Sequence, residues 1–597
     1  MNVLGISCWY HDAAACLLQG GRITAAAQEE RFTRNKHDPS FPRNAIAYCL
    51  REGGIQAQDL DIVAFYDKPF LKFERLLETY LSYAPKGLRS FLTSMPVWLK
   101  RRLWIPDVLR KELDWSGTLI FSEHHLSHAA SAFFPSPFER AAFLTTDGVG
   151  EWTTTSFGTG AGNELRILAE VHFPHSLGLL YSAFTAFCGF RVNSGEYKLM
   201  GLAPYGRPSY VDTIKKELID LKEDGSFRLN MDFFSYPAGL TMTGAKFAHL
   251  FGGPARLPET AFSQREMDLA RSVQQVIEEA IGNMARYVRE ETQESYLCLA
   301  GGVALNCVAN GKVLRSGLFD RLWIQPAAGD AGGALGSALM AWHVHESKER
   351  AVHQDDAMQG AFLGPAFSDD DILSELEQDG IAFECLDDAA LVDYVATLLA
   401  AGKVVGWFQG RMEYGPRALG SRSILADPRG REVQRRVNLK IKYRESFRPF
   451  APSVPVEDAG EWFAVGAESP YMLLVGAVRD AHVEGEGFER LRNIESRIPA
   501  VTHVDATARV QTVHRRANEL YWRLLKAFEM QTGCPVLVNT SFNVRGEPIV
   551  CTPRDALTCF RRTHMDVLVM GRYVVMKGEA GEEVFTKEQI RAEYGLD

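Results

Sequence analysis

The chain has 597 residues, a formal net charge of −10, and ordinary globular fractions of hydrophobic (46%) and charged (23%) residues. This length exceeds what one core accommodates and predicts roughly two to four domains. The negative charge argues against a protein that coats nucleic acid or binds membranes through polybasic segments, although a local basic pocket could still bind a small anion.

Nothing in the sequence is typical of a secreted or membrane-spanning protein. Residues 1–10 contain no basic segment ahead of an apolar one, and the longest uncharged apolar stretch, around 177–190, is too short to cross a bilayer. The ten cysteines form no CxxC pair and mostly have apolar neighbours, which predicts reduced, buried thiols. We therefore expect a cytoplasmic protein without a membrane span.

The first predicted elements are three strands joined by tight turns, at residues 3–7, 13–18 and 22–28. A second copy of this pattern follows, at residues 141–146, 153–158 and 165–171. Two such units predict an internally duplicated α/β fold. Actin, Hsp70 and sugar kinases have this organisation, with a nucleotide in the cleft between the halves.

We expect the first domain to span residues 1–344, with a helical insertion at 66–115 that mixes aromatic residues with a basic run at 100–102. An amphipathic insertion packed on the body is the simpler interpretation, and a surface for a membrane or a substrate is the alternative. A polar linker is predicted at 345–360. A second α/β domain at 361–597 follows from helices and strands predicted at residues 368–379, 381–385, 388–401 and 403–408.

A pair of histidines four residues apart is the clearest candidate for chemistry. His124 and His128 would share one face of a helix and could bind one cation together, whereas His125 lies on another face. Asp147 ends an apolar strand and precedes two glycines, and Asp330 stands in a similar glycine-rich segment. Two imidazoles and two carboxylates make a metal site of nitrogen and oxygen ligands. The alternative is ordinary hydrogen-bonded histidines and turn aspartates.

Two glycine-rich turns lead from strands towards helices, at residues 299–306 and 329–333. Their backbone N–H groups could hold a phosphate near a helix N-terminus, or the turns could be no more than tight connections. A carboxylate and an ammonium two residues apart, Glu196 and Lys198, suit contacts to ribose and phosphate. The predicted nucleotide-binding residues are Glu196, Lys198, Gly301, Gly302, Asn306 and Gly332.

Basic residues are concentrated in the second half of the chain. Residues 429–448 contain eight lysines or arginines and two acidic residues. Guanidinium groups bind phosphate oxygens bidentately, so converging arginines predict a pocket for a small phosphorylated substrate. For residues 429–436 we favour the alternative, a solvated basic helix face. The pocket is predicted for arginines beside turn or apolar residues, namely Arg417, Arg448, Arg509 and Arg545.

Taken together, these motifs resemble the NodU/CmcH-type O-carbamoyltransferases, which make carbamoylated antibiotics, nodulation factors and related metabolites. The resemblance covers nearly the whole chain and rests on segments in one order, at residues 5–7, 11–14, 29–32, 124–136, 147–148, 301–306, 329–336, 414–420 and 539–546. One position departs from the pattern, because Ala506 stands near Arg509 where we expect glycine.

The resemblance also implies a fold and ligands. It implies an N-terminal domain similar to the tRNA threonylcarbamoyl transferases and a C-terminal domain similar to YrdC. It implies Fe(II) or another divalent metal at His124, His128, Asp147 and Asp330, with ATP, accompanied by Mg²⁺, and carbamoyl phosphate as co-substrates. Carbamoyl phosphate would contact Arg417, Lys442, Arg448, Arg509, Asn543 and Arg545.

The implied reaction forms carbamoyl adenylate from carbamoyl phosphate and ATP in the C-terminal domain. The carbamoyl group then passes internally to the metal domain and onto a hydroxyl of a natural product or sugar. His11, at the turn after the first strand, is the candidate general base, with Asp12 beside it, because an imidazole with a pKa of about 6.5 suits that role at neutral pH. The alternative is a structural His11 that caps the turn with Asp12.

Two other classes of protein share parts of this pattern. A tRNA threonylcarbamoyladenosine-type transferase would share both domain types, but a net charge of −10 is poor for binding tRNA. An actin-fold kinase or an Hsp70-like switch would explain the duplication, but neither the histidine pair nor the arginine-rich second domain. We therefore expect a small-molecule acceptor and no nucleic-acid partner. The identity of the acceptor and the presence of a homodimer stay open.

Overall fold

The computed structural model describes residues 1–100, 102–581 and 583–595. Residue 101 of the predicted insertion and residues 582, 596 and 597 of the predicted second domain lie outside this range. The chain divides into two compact units, the first made of Met1–Glu29 and Pro39–Ala357. The second contains Glu30–Asp38, with helix α1 (Glu30–Thr33), and the described chain from Met358 onward. The sequence pattern did not indicate that residues 30–38 leave the first unit.

Twelve strands of the described chain lie in the first unit, and six of them, β1 to β3 and β6 to β8, lie close to the predicted positions. The twelve strands are β1 (Asn2–Ser7), β2 (Ala14–Gln19), β3 (Arg22–Gln28), β4 (Ile62–Phe65), β5 (Thr118–Phe121), β6 (Arg140–Thr146), β7 (Thr153–Ala161), β8 (Glu164–His172), β9 (Ile219–Leu221), β10 (Phe227–Leu229), β11 (Tyr296–Ala300) and β12 (Arg321–Ile324). Strand β1 is buried along nearly its whole length, as expected for an apolar strand inside a layered α/β unit.

Most of these strands form two five-stranded sheets with the same topology. In the first, of order β3-β2-β1-β4-β5, strand β1 pairs antiparallel with β2 and parallel with β4. In the second, of order β12-β11-β6-β7-β8, strand β6 pairs antiparallel with β7 and parallel with β11. Each sheet is therefore a three-stranded antiparallel meander extended by two parallel strands.

Helices surround these sheets and fill the insertion. They are α2 (Arg43–Glu52), α3 (Pro69–Tyr83), α4 (Leu88–Lys100), α5 (Ile105–Leu113), α6 (His124–Phe133), α7 (Leu177–Phe187), α8 (Glu196–Leu202), α9 (Val211–Thr213), α10 (Ala245–Leu250), α11 (Gln264–Thr292), α12 (Cys307–Arg315) and α13 (Asp330–Leu339). Helix α11 contains the predicted helix 266–290 and begins with a capping box between Ser263 and Glu266. Helices α3 to α5 form the insertion.

The second unit is built on one ten-stranded mixed sheet, of order β13-β24-β23-β14-β15-β22-β16-β21-β18-β17. The strands of this sheet are β13 (Glu384–Cys385), β14 (Val405–Phe408), β15 (Arg422–Ala426), β16 (Ala451–Pro455), β17 (Phe463–Ala464), β18 (Leu474–Val478), β21 (Thr507–Val513), β22 (Leu537–Ser541), β23 (Val567–Met570) and β24 (Tyr573–Met576). A separate antiparallel pair is formed by β19 (His482–Val483) and β20 (Ile494–Glu495). The predicted strand 381–385 is reduced to β13, because its exposed residues pair only at the sheet edge.

The helices of the second unit include both that the sequence predicts. They are α14 (Asp369–Gln378), α15 (Asp388–Ala400), α16 (Arg431–Lys440), α17 (Ala459–Trp462), α18 (Glu519–Thr532), α19 (Pro553–Arg561) and α20 (Lys587–Tyr594). The core of this unit includes the fully buried Trp407 and Phe528. Among the residues that the structure describes, no helix has the length and apolar composition needed to cross a bilayer. Every cysteine except Cys385 is buried.

Candidate active site

Four side chains converge in the first unit where strands and helices end or begin. His124 and His128 lie one turn apart at the start of α6, Asp147 directly follows β6, and Asp330 is the first residue of α13. One ligand-type atom from each of the four lies within 4.8 Å of the others. The structure thus brings together the four residues that the sequence singled out as metal ligands.

The close approach of α6 to α13 depends on Gly336. A Cβ at this position would lie 1.8 Å from the backbone oxygen of Ser127, so any larger residue would force the helices apart. Because α6 carries both histidines and α13 begins with Asp330, this glycine sets the distance across the cluster.

The distances within the cluster suit one ion between the four groups. The two Nε2 atoms lie 3.1 Å apart, and Asp147 Oδ2 lies 3.0 Å from Nε2 of His124 and 3.6 Å from that of His128. Asp330 Oδ1 lies 3.7 and 3.9 Å from the same two nitrogens. Ligands bonded to one ion at about 2.1 Å stand about 3.0 to 3.4 Å apart, so small movements of His128 and Asp330 would place all four groups within reach of one ion.

The burial of Asp330 supports the same interpretation. Its side chain is 1% exposed, and neither carboxylate oxygen accepts a hydrogen bond from any residue that the structure describes. A buried carboxylate without a donor is costly, and a cation would compensate it. Asp147 differs, because its Oδ1 accepts the Gly302 N–H at 3.1 Å. Two imidazoles and two carboxylates fit Fe(II), Zn²⁺ or Mn²⁺, while metal binding itself stays a prediction.

The ionisation of these groups is mutually dependent. Burial alone would raise the pKa of Asp147, but hydrogen bonds and positive charge from His124 and His128 lower it well below its usual range. Burial would lower the pKa of His124, but the hydrogen bond to Asp147 and the charge of Asp330 raise it. The negative carboxylates thus favour positive charge on the neighbouring imidazole of His124. His125 is the contrast, because burial and the adjacent histidines lower its pKa well below the usual value.

His11 lies beside the cluster and is oriented by Asp12. Its Nδ1 lies 2.9 Å from Asp12 Oδ2, and its Nε2 lies 3.8 Å from Asp330 Oδ2. Burial would lower the pKa of His11, but the charge of Asp330 and the hydrogen bond to Asp12 raise it well above its usual value. A cation on Asp330 would cancel the larger of these two raising effects. The catalytic role of His11 and Asp12 stays a prediction.

Sequence reasoning missed several groups around the cluster. Both carboxylate oxygens of Glu151 accept the His124 N–H, at 3.1 and 3.2 Å, and so satisfy the N-terminus of α6. The Tyr66 ring lies 5.3 Å from the His124 ring, and Lys72 Nζ donates to Asp67 at 2.6 Å. Tyr66 and Asp67 directly follow the parallel strand β4. Parallel strands present such residues at the carboxyl edge of the sheet, and this signal could have identified them.

Backbone geometry requires glycine at positions 301 and 332 of the predicted nucleotide-binding set. Gly301 has a φ of 88°, and a Cβ there would lie 2.3 Å from the backbone oxygen of Thr146. This approach brings the Gly302 N–H to Asp147. A Cβ on Gly332 would lie 2.2 Å from a backbone oxygen of the preceding loop. Nucleotide binding by these residues stays a prediction.

The polar members of the same set have protein partners. Asn306 caps α12 and exchanges two hydrogen bonds of 3.1 Å with Gln274. Glu196 accepts the hydroxyl of Ser182 at 2.7 Å. Lys198 is completely buried. A nucleotide could therefore bind Asn306 and Glu196 only by replacing these existing hydrogen bonds. The role of these residues in nucleotide binding also stays a prediction.

In the second unit, the predicted anion-binding residues lie at one end of the sheet. Strands β15, β22, β16 and β21 are successive neighbours, and β22 runs antiparallel to β15 and β16, whereas β21 runs parallel to β16. The amino ends of three strands therefore meet the carboxyl end of β22. Arg448 precedes β16, Arg509 lies near the start of β21, and Asn543 and Arg545 follow β22. Lys442 reaches the same end through its hydrogen bond to Ser541, and Arg417 lies in the segment that leads to β15.

Distances join four of these residues into a cluster. Lys442 Nζ donates to the backbone oxygen of Asn543 at 2.7 Å and to its Oδ1 at 2.6 Å. Arg448 and Arg545 lie 3.8 and 3.9 Å from the carboxylate of Glu445. Burial, together with nearby positive charge, lowers the pKa of Lys442 well below its usual value. This concentration of positive charge suits an anion, whose binding stays a prediction.

The fold and these two clusters define a two-unit α/β protein with a candidate metal centre in one unit and a candidate anion site in the other. A family model described as the carbamoyltransferase N-terminus matches residues 2–339, and one described as the carbamoyltransferase C-terminus matches residues 396–577. The chain therefore belongs to the carbamoyltransferase family and is a transferase enzyme. The resemblance inferred from the motifs is confirmed.

Individual relatives match almost the whole chain. Protein sll1178 of Synechocystis sp. is 57% identical over 96% of this chain and 97% of its own. Nodulation protein NolNO of Sinorhizobium fredii is 39% identical over 98% of this chain and 84% of its own. The 3'-hydroxymethylcephem-O-carbamoyltransferase of Streptomyces clavuligerus is 36% identical over 94% of this chain and 96% of its own.

Proposed function

We propose that this enzyme transfers a carbamoyl group to a hydroxyl oxygen of a small molecule and so forms a carbamate ester. The observation that carries the proposal is the buried cluster of His124, His128, Asp147 and Asp330 with His11 beside it. Membership of the carbamoyltransferase family indicates the group transferred. A relative whose name specifies O-carbamoyl transfer to a hydroxymethylcephem supports a hydroxyl acceptor.

The first half-reaction takes place in the second unit. Water releases phosphate from carbamoyl phosphate, a carbamate oxygen attacks the α-phosphorus of ATP, and pyrophosphate leaves. The product is carbamoyl adenylate. Positively charged and amide side chains would hold the phosphate oxygens by charge-assisted hydrogen bonds, and those proposed are Arg417, Lys442, Arg448, Arg509, Asn543 and Arg545.

The second half-reaction takes place in the first unit. The acceptor hydroxyl oxygen attacks the carbamoyl carbon, the bond to AMP breaks, and AMP leaves with the electron pair. His11 accepts the hydroxyl proton at Nε2 while its Nδ1 stays bonded to Asp12. Internal passage of the adenylate, a mixed anhydride, protects it from hydrolysis.

Fe(II), or another divalent cation, is the cofactor that we propose for the cluster. When bound, it would act as a Lewis acid towards the carbamoyl carbonyl or the AMP leaving group. His124, His128, Asp147 and Asp330 would hold it. The Gly302 N–H, bonded to the second oxygen of Asp147, would keep that carboxylate oriented.

The finer fold assignments belong to the same proposal. The repeated sheet topology supports an actin-like ATPase fold for the first unit, in which Mg²⁺ would accompany the nucleotide at Glu196, Lys198, Gly301, Gly302, Asn306 and Gly332. The mixed sheet with cationic residues at one end supports a YrdC-like fold for the second unit. A cytoplasmic location and a small-molecule acceptor without a nucleic-acid partner complete the proposal.

The direct test uses the purified chain with Fe(II), Mg²⁺, ATP and isotopically labelled carbamoyl phosphate in a metabolite extract. Mass spectrometry should find a product that has gained one labelled carbamoyl group in place of a hydrogen, with AMP and pyrophosphate released. A phosphorylated product with ADP would support the kinase alternative instead. A labelled tRNA nucleoside would support the threonylcarbamoyladenosine-type alternative.

A further inference from the structure

The insertion exposes more apolar side chains than its share of the chain would suggest. It holds eight of the seventeen large apolar side chains that are exposed among the described residues, although the insertion, residues 66–115, is 50 of the 597 residues. Single exposed apolar side chains are normal on a protein surface, whereas a concentration of them marks an interaction site. The eight are Phe70, Leu71, Leu81, Leu88, Leu92, Val97, Leu99 and Trp104.

The inner face of helix α4 packs against helix α3 of the same insertion. Met95 and Trp98 are buried, and the ring of Trp98 lies 5.8 Å from the ring of Phe73 in α3. Two turns earlier in α4, the ring of Phe91 lies 5.3 Å from the ring of Tyr80, which also belongs to α3. These contacts hold α4 in place through one face. The exposed leucines of α4 therefore have another use than packing against α3.

The outer face of α4 carries an apolar stripe, formed by Leu88, Leu92, Leu99 and Trp104. The three leucines are 64%, 62% and 55% exposed, and they lie within about 40° of one another on a helix of 3.6 residues per turn. Trp104 joins the stripe at its carboxyl end, because its Nε1 donates to the backbone oxygen of Leu99 at 3.0 Å while its side chain stays exposed. A surface helix normally turns polar residues outward, so the outer stripe suits an apolar partner.

Basic residues lie beside the outer stripe. The exposed Arg89 and Lys100 are both on one side of it, about 60 to 80° beyond its edge around the helix. Residues 79–106 contain five basic residues and no acidic residue, in a chain of net charge −10. Because the chain as a whole is repelled by an anionic surface, this segment is the part that can approach one. Leucine and tryptophan with adjacent lysine and arginine are typical of a helix that lies in the plane of an anionic bilayer.

We propose that the outer stripe of α4, together with Arg89 and Lys100, is a docking surface for a bilayer that contains anionic phospholipids. The helix lies in the plane of the membrane, with the leucines and Trp104 at the ends of the acyl chains and the two cations at the lipid phosphates. The binding is peripheral and needs no membrane span. It is independent of the proposed carbamoyl transfer and brings the enzyme to a membrane surface.

The test is cosedimentation of the full chain with two kinds of vesicle, one of phosphatidylcholine alone and one of phosphatidylcholine and phosphatidylglycerol in equal parts. We expect the chain to bind the anionic vesicles at least about tenfold more tightly than the neutral ones. This binding should weaken as the salt concentration rises, because salt screens the attraction between the cations and the lipid phosphates. No binding to the anionic vesicles, or equal binding to both kinds, would overturn the proposal.

Two variants of α4, each with a matched control, locate the surface. Leu92→Ser should weaken binding to the anionic vesicles at least about tenfold, and Lys100→Gln about fivefold. The controls are Leu257→Ser, which removes a side chain 72% exposed outside the insertion, and Arg435→Gln, which removes an exposed cation from α16. Both controls should bind as the wild type does, and thermal melting shows that each variant is folded. Wild-type binding by either folded α4 variant, or equal losses in the controls, would contradict the proposal.

Fluorescence measures whether Trp104 enters the bilayer. Anionic vesicles with brominated acyl chains should quench part of the tryptophan emission of the wild type, and Trp104→Phe should lose most of that quenching. Light scattering without vesicles tests the other occupant of the stripe, a second copy of this chain. A dimer that Leu92→Ser dissociates would assign the stripe to that copy and overturn membrane docking, and so would unchanged quenching in Trp104→Phe.

Discussion

The Nε2 atoms of His124 and His128 lie 3.1 Å apart on one face of α6, within the candidate metal cluster of the first unit. His124→Ala and His128→Ala should each lose bound metal and carbamoyl transfer while the chain stays folded. Removal of one of two paired ligands deletes a bond and the chelate geometry that supports the other. Elemental analysis of the purified variants measures the effect.

His125→Asn is the matched control for this prediction, since His125 lies on the same helix but contacts Thr145 at 2.7 Å. It should retain metal. Full metal occupancy in both His124→Ala and His128→Ala would return these residues to the alternative of ordinary buried histidines.

A variant of His11 can separate transfer to the hydroxyl from the steps that precede it. His11→Asn should keep metal and ATP binding and still form carbamoyl adenylate, because none of those steps removes a proton from the acceptor. Transfer to the hydroxyl should fall by roughly 10²–10⁴-fold, the usual contribution of a positioned base. Asparagine can keep a hydrogen bond with Asp12 but cannot take the proton. Single-turnover transfer from preformed adenylate measures the effect, and near-normal transfer would leave His11 a structural role only.

At the scale of elements, the segment Glu30–Asp38 is the least expected feature, because it packs in the second unit while the chain on both sides of it belongs to the first. Phe32 packs against Met412, Ile549 and Cys551. Arg34 donates to the Glu547 carboxylate at 2.9 Å and to the backbone oxygen of Ile549 at 2.7 Å. This nine-residue stretch is therefore a structural part of the second unit.

Arg34→Ala should lower the free energy of unfolding of the second unit by about 3 kcal/mol, because it leaves the buried Glu547 carboxylate without its cation. Burial raises the pKa of Glu547, and Arg34 opposes that rise. Without Arg34 the pKa rises further, so the carboxyl is neutral over a wider acidic range. The loss of stability should then shrink as the pH falls and be largest above the raised pKa.

Urea denaturation, monitored by hydrogen exchange in peptides from residues 535–560, measures this change in the free energy of unfolding. The double variant Arg34→Ala/Glu547→Gln should recover part of the loss, because the amide needs no counter-ion. A deficit that does not depend on pH and is not relieved by the double variant would contradict the ion-pair explanation.

At the scale of the whole molecule, the two half-reactions should separate by unit. Arg545→Ala should abolish carbamoyl phosphate-dependent pyrophosphate release, because Arg545 belongs to the cationic cluster of the second unit. The same variant should still transfer the carbamoyl group from supplied carbamoyl adenylate, because the metal ligands and His11 lie in the first unit. Pyrophosphate release and product formation are measured in parallel.

Arg435→Ala is the control for that variant, since Arg435 lies exposed on α16 within the basic helix face that we interpret as solvated. It should leave both half-reactions unchanged. Loss of both half-reactions in a folded Arg545→Ala protein would contradict their division between the units.

The amino-acid sequence by itself determined much of the local structure and singled out the four residues that meet in the candidate metal cluster. Alternation and turn residues located β1, β2, β3 and their second copy to within a few residues, because strand pairing between close neighbours follows from short-range pattern and turn chemistry. Four-residue spacing paired His124 with His128, because helix geometry relates such positions directly. Ordered motifs identified the family.

Only the tertiary structure decided which distant residues meet. Asp330 reaches His124 because Gly336 permits the close contact of α13 with α6. Glu151 had no local signal of its own, because its partner, the His124 N–H, belongs to a separate helix. Tyr66 was marked only by its position directly after the parallel strand β4. The packing of residues 30–38 in the second unit likewise had no signal in the local sequence pattern. Local pattern records the preferences of a segment, whereas packing between remote segments depends on shapes and distances that exist only once the chain has folded.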